Sequence, residues 1–448
     1  MKLTRTKNVN CLSCGGGNFV CYNTILNNPI MLTKDSYEYF IGCQDVETGV
    51  GKPDEDEIEL IEALKSSYLL MPEGVFEKEL VEEVNNEYLQ KVANGKTLDL
   101  LDLRISEKCN FGCKHCISSK SKSGKVMTVK TAISAVDSFI RYLSVSGRDV
   151  SKLDIHYGNA EPLMNFSVIR QVQEYLRSQY SRIDVASSVN TNLSLLTAEM
   201  ADFLVKEKVD IYVSLDGDKT ANDLIRVFKN GKGTYDTILR KISLLKKFGK
   251  TLQGVSVTIT EKNFKYFSLS FIDWCIENGF CSLAVDFDLV NAINIPLDEM
   301  VDFLSSAWEI CQKRKIEFFG TWMAPFLNVS NNSVVDNHYA FCKGVHGRSI
   351  SVSPDEQVYI CGYSSTALGN IWDIGGMFSP GGGMYELISS RLIGRNKFCE
   401  GCIIEGACAG QCQSTNEYSQ ENKINLCDFY RAITEKLLTI QGASEMAS

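Results

Sequence analysis

The sequence is short of histidine, of net positive charge and of long apolar runs, and each shortage removes a class of function. Only four of the 448 residues are histidine, so metal chemistry here would fall mainly to other side chains. Lys and Arg number 46 against 55 Asp and Glu, a net charge of −9, which excludes a nucleic-acid binder held by a broad basic face. No apolar run approaches the roughly 18 residues of a membrane-spanning helix. The start is basic but leads into Cys11-Leu12-Ser13-Cys14-Gly15, not into the apolar stretch of a secretion signal. Apolar residues at 44% and charged residues at 23% exclude wholesale disorder, and the length suggests about three domains. The expectation is a cytoplasmic protein with no membrane and no nucleic-acid partner.

What is abundant is cysteine, with 17 residues. An odd count in a large chain with no export signal fits a disulfide scaffold poorly and favours metal or catalytic use. Cys109, Cys113 and Cys116 form one group; Cys342, Cys361, Cys399, Cys402, Cys408, Cys412 and Cys427 form a second. Of the scattered seven, Cys11, Cys14, Cys21 and Cys43 read as unliganded thiols or a zinc site, and Cys275, Cys281 and Cys311 as core thiols.

Residues 1–92 read as a small unit: two β-prone runs within 19–33 around a turn at Asn27-Asn28-Pro29, then helices over 34–41 and 57–70, on the scale of a winged helix. A linker follows at 92–96. Over 99–315 strands at 100–105, 153–157, 183–189, 210–215, 254–259 and 281–287 alternate with amphipathic helices such as 128–143 and 234–248. That alternation predicts an α/β fold, a parallel sheet with helices outside, and chemistry at the C-terminal strand ends. Over 330–430 periodicity fades and order is expected to depend on metal; a helix near 428–440 and a tail to 448 close the chain.

The first chemical motif, Cys109-Asn110-Phe111-Gly112-Cys113-Lys114-His115-Cys116, directly follows the first predicted strand of that array. Three closely spaced thiolates suit three corners of a cubane iron–sulfur cluster whose fourth iron stays open. A zinc site, with His115 or a distant group as fourth ligand, is the alternative. This motif resembles that of the radical S-adenosylmethionine (SAM) enzymes, and the resemblance implies a partial (βα)6 barrel, a [4Fe–4S] cluster on the three cysteines, SAM chelated to the open iron and a 5′-deoxyadenosyl radical that abstracts hydrogen. Tyr157-Gly158-Asn159-Ala160-Glu161-Pro162 resembles the family's Gly-Gly-Glu-Pro motif, with Asn159 and Ala160 in place of the glycines. Asn190-Thr191-Asn192 resembles Thr-Asn-Gly, with Leu193 in the glycine position, and Ser214-Leu215-Asp216-Gly217 with Asp223 and Arg226 resembles a segment of sulfatase- and peptide-maturing members. The match implies that Glu161, Asn192, Ser214 and Arg226 bind SAM.

The C-terminal cysteines resemble a SPASM domain, which carries two auxiliary [4Fe–4S] clusters, making three in all. The resemblance implies Cys342, Cys361 and Cys412 at auxiliary cluster I and Cys399, Cys402, Cys408 and Cys427 at auxiliary cluster II; a zinc-ribbon-like pair of sites is the alternative. Two full cubanes need eight ligands and seven cysteines are present, so one iron of auxiliary cluster I is expected open. Arg348 stands where some relatives have a further cysteine, and His338 and His346 are nearby candidate ligands. Glu356 replaces a usual glycine, and Gly362 stands where sulfatase-maturing relatives carry a basic Asp. The implied function is an oxidoreductase that matures a ribosomal precursor peptide bearing a leader, installing an intramolecular C–C, C–O or C–S cross-link with electrons from a flavodoxin- or ferredoxin-type donor. Oxidation of Cys or Ser to formylglycine is the enzymatic rival, and a non-catalytic iron–sulfur carrier or peptide-binding module the rival of another class.

Overall fold

The computed structural model describes residues 2–43, 45–47, 54–120, 124–148, 150–249, 252–288, 291, 293–331, 334–335, 340–418 and 425–445. His338 lies outside them. The central element is a ten-stranded sheet. Two three-stranded sheets precede it: β2 (Val9–Gly15), β3 (Asn18–Asn23) and β4 (Asn27–Leu32) form an antiparallel meander, and β1 (Lys2–Arg5) lies between β5 (Asp45–Glu47) and β6 (Leu70–Pro72). Helices Lys34–Gly42, Glu55–Ser66 and Glu77–Ala93 accompany them. The second spans 55–66 rather than the expected 57–70: Asp54 caps the Glu57 amide at 2.8 Å with Glu55, Asp56 and Glu57 in its first turn, and Leu70 opens β6 instead.

Expectations for this region are corrected at a turn and at two cysteines, and one helix is added. The turn between β3 and β4 falls at 24–26, with Asn27 and Asn28 (φ 62° and 59°) opening β4; the Asn23 side chain organises it by accepting from the Ile25 and Leu26 amides. The helix 77–93 is an addition to the helices expected here, its stripe Val81, Tyr88, Leu89 and Val92 being buried. Cys11 and Cys21, directly opposed on β2 and β3 with Cα atoms 4.1 Å apart, form a disulfide rather than free thiols or a zinc site.

The sheet proper runs β7 (Leu100–Leu103), β8 (Lys152–Tyr157), β9 (Asp184–Thr191), β10 (Asp210–Ser214), β11 (Gly254–Ile259), β12 (Ser282–Phe287) and β13 (Glu317–Phe319), neighbours pairing parallel in sequence order. All six expected strands are present, and β13 is an addition: three residues are too few to show a period. The helix Val129–Val145 covers the sheet with Ala132, Val136, Phe139, Ile140 and Leu143 buried, and Thr128 caps it through the Thr131 amide. Cys275 and Cys311 are core thiols, but Cys281 is exposed; it precedes β12, where the Gln253 and Glu317 backbones bind its own while leaving its side chain outside.

The cysteine-rich segment continues the same sheet. β14 (Ser349–Val352) pairs parallel to β7, and β15 (Gln357–Tyr359) and β16 (Ala367–Asn370) follow antiparallel. This places Cys361, just after β15, two strands from β7 in the same sheet. The final helix, Leu426–Glu445, lies across β2 and β3, where Asn10 Nδ2 reaches Glu435 at 3.0 Å. No helix among the described residues is long and apolar enough to cross a membrane.

Candidate active site and cysteine centres

The C-terminal ends of the parallel strands open on a cavity of about 420 Å³. Cys109, Cys113 and Cys116 line it from the loop after β7, Asn159 and Ala160 from the end of β8, Asn190 and Asn192 from β9, Ser214 from β10 and Arg226 beyond. Cys361 and Cys412 line the same cavity from the C-terminal segment. Two cysteine groups separated by more than 240 residues in sequence therefore face one space.

The local backbone explains the departures from glycine. Asn159, Ala160 and Leu193 have φ of 67°, 31° and 62°, the left-handed region glycine usually serves. The chain keeps the path and tolerates side chains on it: Asn159 Oδ1 accepts from the Ala160 amide at 2.7 Å, and Leu193 is fully buried. Glu356 (φ 67°) repeats the pattern at the β14–β15 turn, where its carboxylate accepts from Trp372 Nε1 at 2.8 Å.

Glu161 is fully buried and sits behind the cavity wall rather than on it. Its carboxylate accepts from Thr191 Oγ1 at 2.6 Å and from the amides of Asn192 and Leu163 at 2.8 and 2.9 Å, tying β8 to β9. Burial outweighs these donors and pushes its acid up to about 7. Asn192 extends outward, donating to Asn110 Oδ1 at 3.0 Å and to Cys109 Sγ at 3.7 Å. Ser214 Oγ donates to Asn190 Oδ1 at 3.3 Å.

Arg226 is held by a two-point ion pair with Asp216, at 2.9 and 2.8 Å, and Asp216 also accepts from the Thr258 amide. Burial opposes the charged guanidinium, but Asp216 and Cys113 more than restore it. Asn222 and Asp223 are structural: Asn222 accepts from the Asp216 amide, and Asp223 accepts from the Thr234 and Tyr235 amides. His115 is buried against Asp216 and Arg226, and burial lowers its basicity.

The second group divides between two places. Cys399, Cys402, Cys408 and Cys427 line a second cavity of about 200 Å³. Cys342, Cys361 and Cys412 are electrostatic neighbours of one another. Cys342 is exposed as a residue while its thiol is set among protein atoms. Burial pushes the thiols up, to about 11 for Cys113, Cys342 and Cys399 and about 12 for Cys408. Such thiols stay protonated until a metal takes them. No three Cys, His, Asp or Glu among the described residues converge tightly enough to hold a single metal ion. His346 stacks on Tyr88 at 4.6 Å and lines neither cavity, and Arg348 pairs with Asp99.

Sequence reading missed Asp286, Thr321, Tyr363, Ser414 and Thr415, all of which line the larger cavity. Asp286 ends β12, takes two bonds on one carboxylate oxygen from the Thr321 amide and hydroxyl (2.7 and 2.8 Å), and is raised by burial. A lone Asp at a strand end carries no motif; its one sequence signal was position at the C-terminal end of a parallel strand.

Residues 103–267 match the radical SAM superfamily, so the chain carries a radical SAM domain. Its relatives are consistent in kind. The radical SAM cyclopropyl synthase TigE of Paramaledivibacter caminithermalis is 24% identical over 82% of this chain and 79% of its own. A serine-type anaerobic sulfatase-maturating enzyme of Klebsiella aerogenes is 21% identical over 76% and 85%. In fold, Streptococcus suis SuiB bound to precursor peptide SuiA superposes with TM-score 0.56 at 15% identity, covering 95% of this chain and 99% of that one.

Proposed function

We propose that this enzyme matures a ribosomal precursor peptide by hydrogen abstraction and closure of an intramolecular C–C, C–O or C–S cross-link. The observation that carries the reading is the shared cavity, in which the Cys109–Cys113–Cys116 loop and Cys361 with Cys412 face the same space. The relatives support a peptide substrate, since SuiB is solved with its precursor peptide and a neighbour, anSMEcpe, with the Cp18Cys peptide. The N-terminal sheets and helices are read as the winged-helix-like leader-recognition unit, and residues 330–430 as the SPASM domain.

The cysteines present fit three cubane sites by donor type. Cys109, Cys113 and Cys116 share one cavity and Cys399, Cys402, Cys408 and Cys427 line another, the all-sulfur donor sets that iron–sulfur clusters take. Cys109, Cys113 and Cys116 would hold the SAM cluster, and SAM would lie against Asn192, Ser214 and Arg226 with Glu161 behind. When bound, that group supplies a 5′-deoxyadenosyl radical for hydrogen abstraction. Arg226 stays charged against Asp216 and sets a fixed positive group at the wall. Asp286, with one oxygen held by Thr321, is the wall's proton acceptor for the substrate. Cys342, Cys361 and Cys412 would hold auxiliary cluster I, one protein ligand short of four, and a flavodoxin- or ferredoxin-type donor would supply electrons.

Formylglycine formation fits less well. A Cβ at Gly362 would meet Asp102 Oδ2 at 2.9 Å, so an acidic side chain there would collide with a carboxylate already present. The test is anaerobic reconstitution, then incubation with SAM, a reductant and a precursor peptide. A product lacking two hydrogens, with no fragmentation between the joined residues and no hydrazide-reactive aldehyde, is expected. An aldehyde product, or peptide binding without 5′-deoxyadenosine, would overturn the reading.

A further inference from the structure

Arg391 is a buried guanidinium in no ion pair with a carboxylate among the described residues. It is 7% exposed, and all its hydrogen bonds go to neutral acceptors: Ala409 O at 3.2 Å, Gly410 O at 2.8 Å, Gln411 O and Gln413 Oε1. Ala409, Gly410 and Gln411 are three consecutive residues with left-handed backbone, φ 47°, 81° and 73°. Two of them are not glycine, so the conformation is imposed on the segment, and its carbonyls converge on the guanidinium. That segment links Cys408, assigned above to auxiliary cluster II, to Cys412, assigned to auxiliary cluster I.

A buried charge without an opposite charge is costly, and burial does weaken the hold of Arg391 on its proton. The groups that oppose this are Cys342, Cys408, Cys412 and Cys399, two from each cysteine set. Cys408 and Cys412, at the two ends of the segment the guanidinium holds, would become its counter-charges once their thiolates are ligated. A positive charge beside a cluster favours its reduced, more negative form.

We infer that Arg391 is the common counter-ion and positioning residue of the two auxiliary cluster sites: its fork holds the 409–411 carbonyls, and its charge raises the reduction potential of both clusters. The inference rests on the reading of those cysteines as two cluster sites. It makes the two centres a matched pair tuned by one side chain.

The test is an EPR-monitored redox titration of anaerobically reconstituted full-length protein carrying C109A, C113A and C116A, so that only the auxiliary sites contribute. About eight irons in this parent, two cubanes, would uphold the underlying reading; zinc or far fewer irons would overturn that reading and the inference with it. Given eight irons, R391Q is expected to move both midpoints to more negative potential, while R391K, keeping the charge without the fork, holds both near the parent. Q413E leaves the carbonyl bonds of Arg391 in place and adds an opposing charge, so it is expected to lower both midpoints even if R391Q fails to retain its clusters. Unchanged midpoints in Q413E, or a shift at one cluster alone, would overturn the inference and leave Arg391 a backbone clamp.

Discussion

At the scale of single residues, the SAM-side motifs depart from glycine where the backbone most demands it. Ala160, at φ 31°, carries a Cβ in a region that costs an L-residue roughly 1–2 kcal/mol. A160G removes that strain and returns part of the gain as unfolded-chain entropy, so the variant is expected to be more stable by about 0.5–1 kcal/mol in urea unfolding; a loss of stability would show that the Ala160 methyl is packed to advantage. The neighbouring Glu161 gives a pH-dependent prediction. Its acid lies near 4.5 when unfolded and is pushed up to about 7 by burial when folded. Stability from this group is complete below the unfolded value and is lost as pH rises through 7, by up to about 3 kcal/mol. E161Q cannot ionise, so the stability difference between wild type and E161Q, measured by urea unfolding from pH 4 to 8, should change across that window; parallel curves would show that the site does not favour the protonated acid.

At the scale of elements, the parallel strands were legible because each is an apolar run bounded by a helix of clear 3.6 period; β11 was read with its observed bounds. What was not legible has physical reasons. β13 is too short for a period, the helix 77–93 has a weakly apolar face rich in Glu, and the β3–β4 turn is fixed by the Asn23 side chain rather than by the Asn-Asn-Pro run. The cysteines stood out in the sequence by their spacing, whereas Asp286 and Arg391 belong to no motif and are noticed only through their placement. The same holds for the contact between the N-terminal meander and the second cysteine centre. Gly406 donates to Thr24 O at 2.8 Å, its carbonyl accepts from Asn27 Nδ2 at 3.0 Å, and a Cβ there would meet Ile25 O at 2.0 Å. G406A therefore forces the 24–27 turn away from the 405–408 helix. It should destabilise by about 1–3 kcal/mol and reduce iron retained at the neighbouring Cys399–Cys402–Cys408–Cys427 cavity more than at the SAM-side cysteines. Equal retention at both would show that the turn does not support that centre.

At the scale of the whole molecule, two kinds of order meet in one sheet. β7 to β13 are held by apolar burial on a continuous core, and β14 borrows that order through its four-residue parallel register with β7. The segment 397–418 has short helical turns, left-handed residues at 409–411 and few buried apolar side chains of its own, so its folding is coupled to whatever the cysteines bind. Removing iron from the reconstituted enzyme with an anaerobic chelator should therefore act unevenly. Hydrogen exchange is expected to rise sharply across 397–418, while peptides covering β11 and β12 keep their protection and β14 stays close to them. Uniform loss across all three would mean that the parallel sheet too depends on metal for its fold. Unchanged protection at 397–418 would mean that the Arg391 bonds and the disposition of the cysteines survive without their ligand, and that the cluster centres are preformed rather than built by binding.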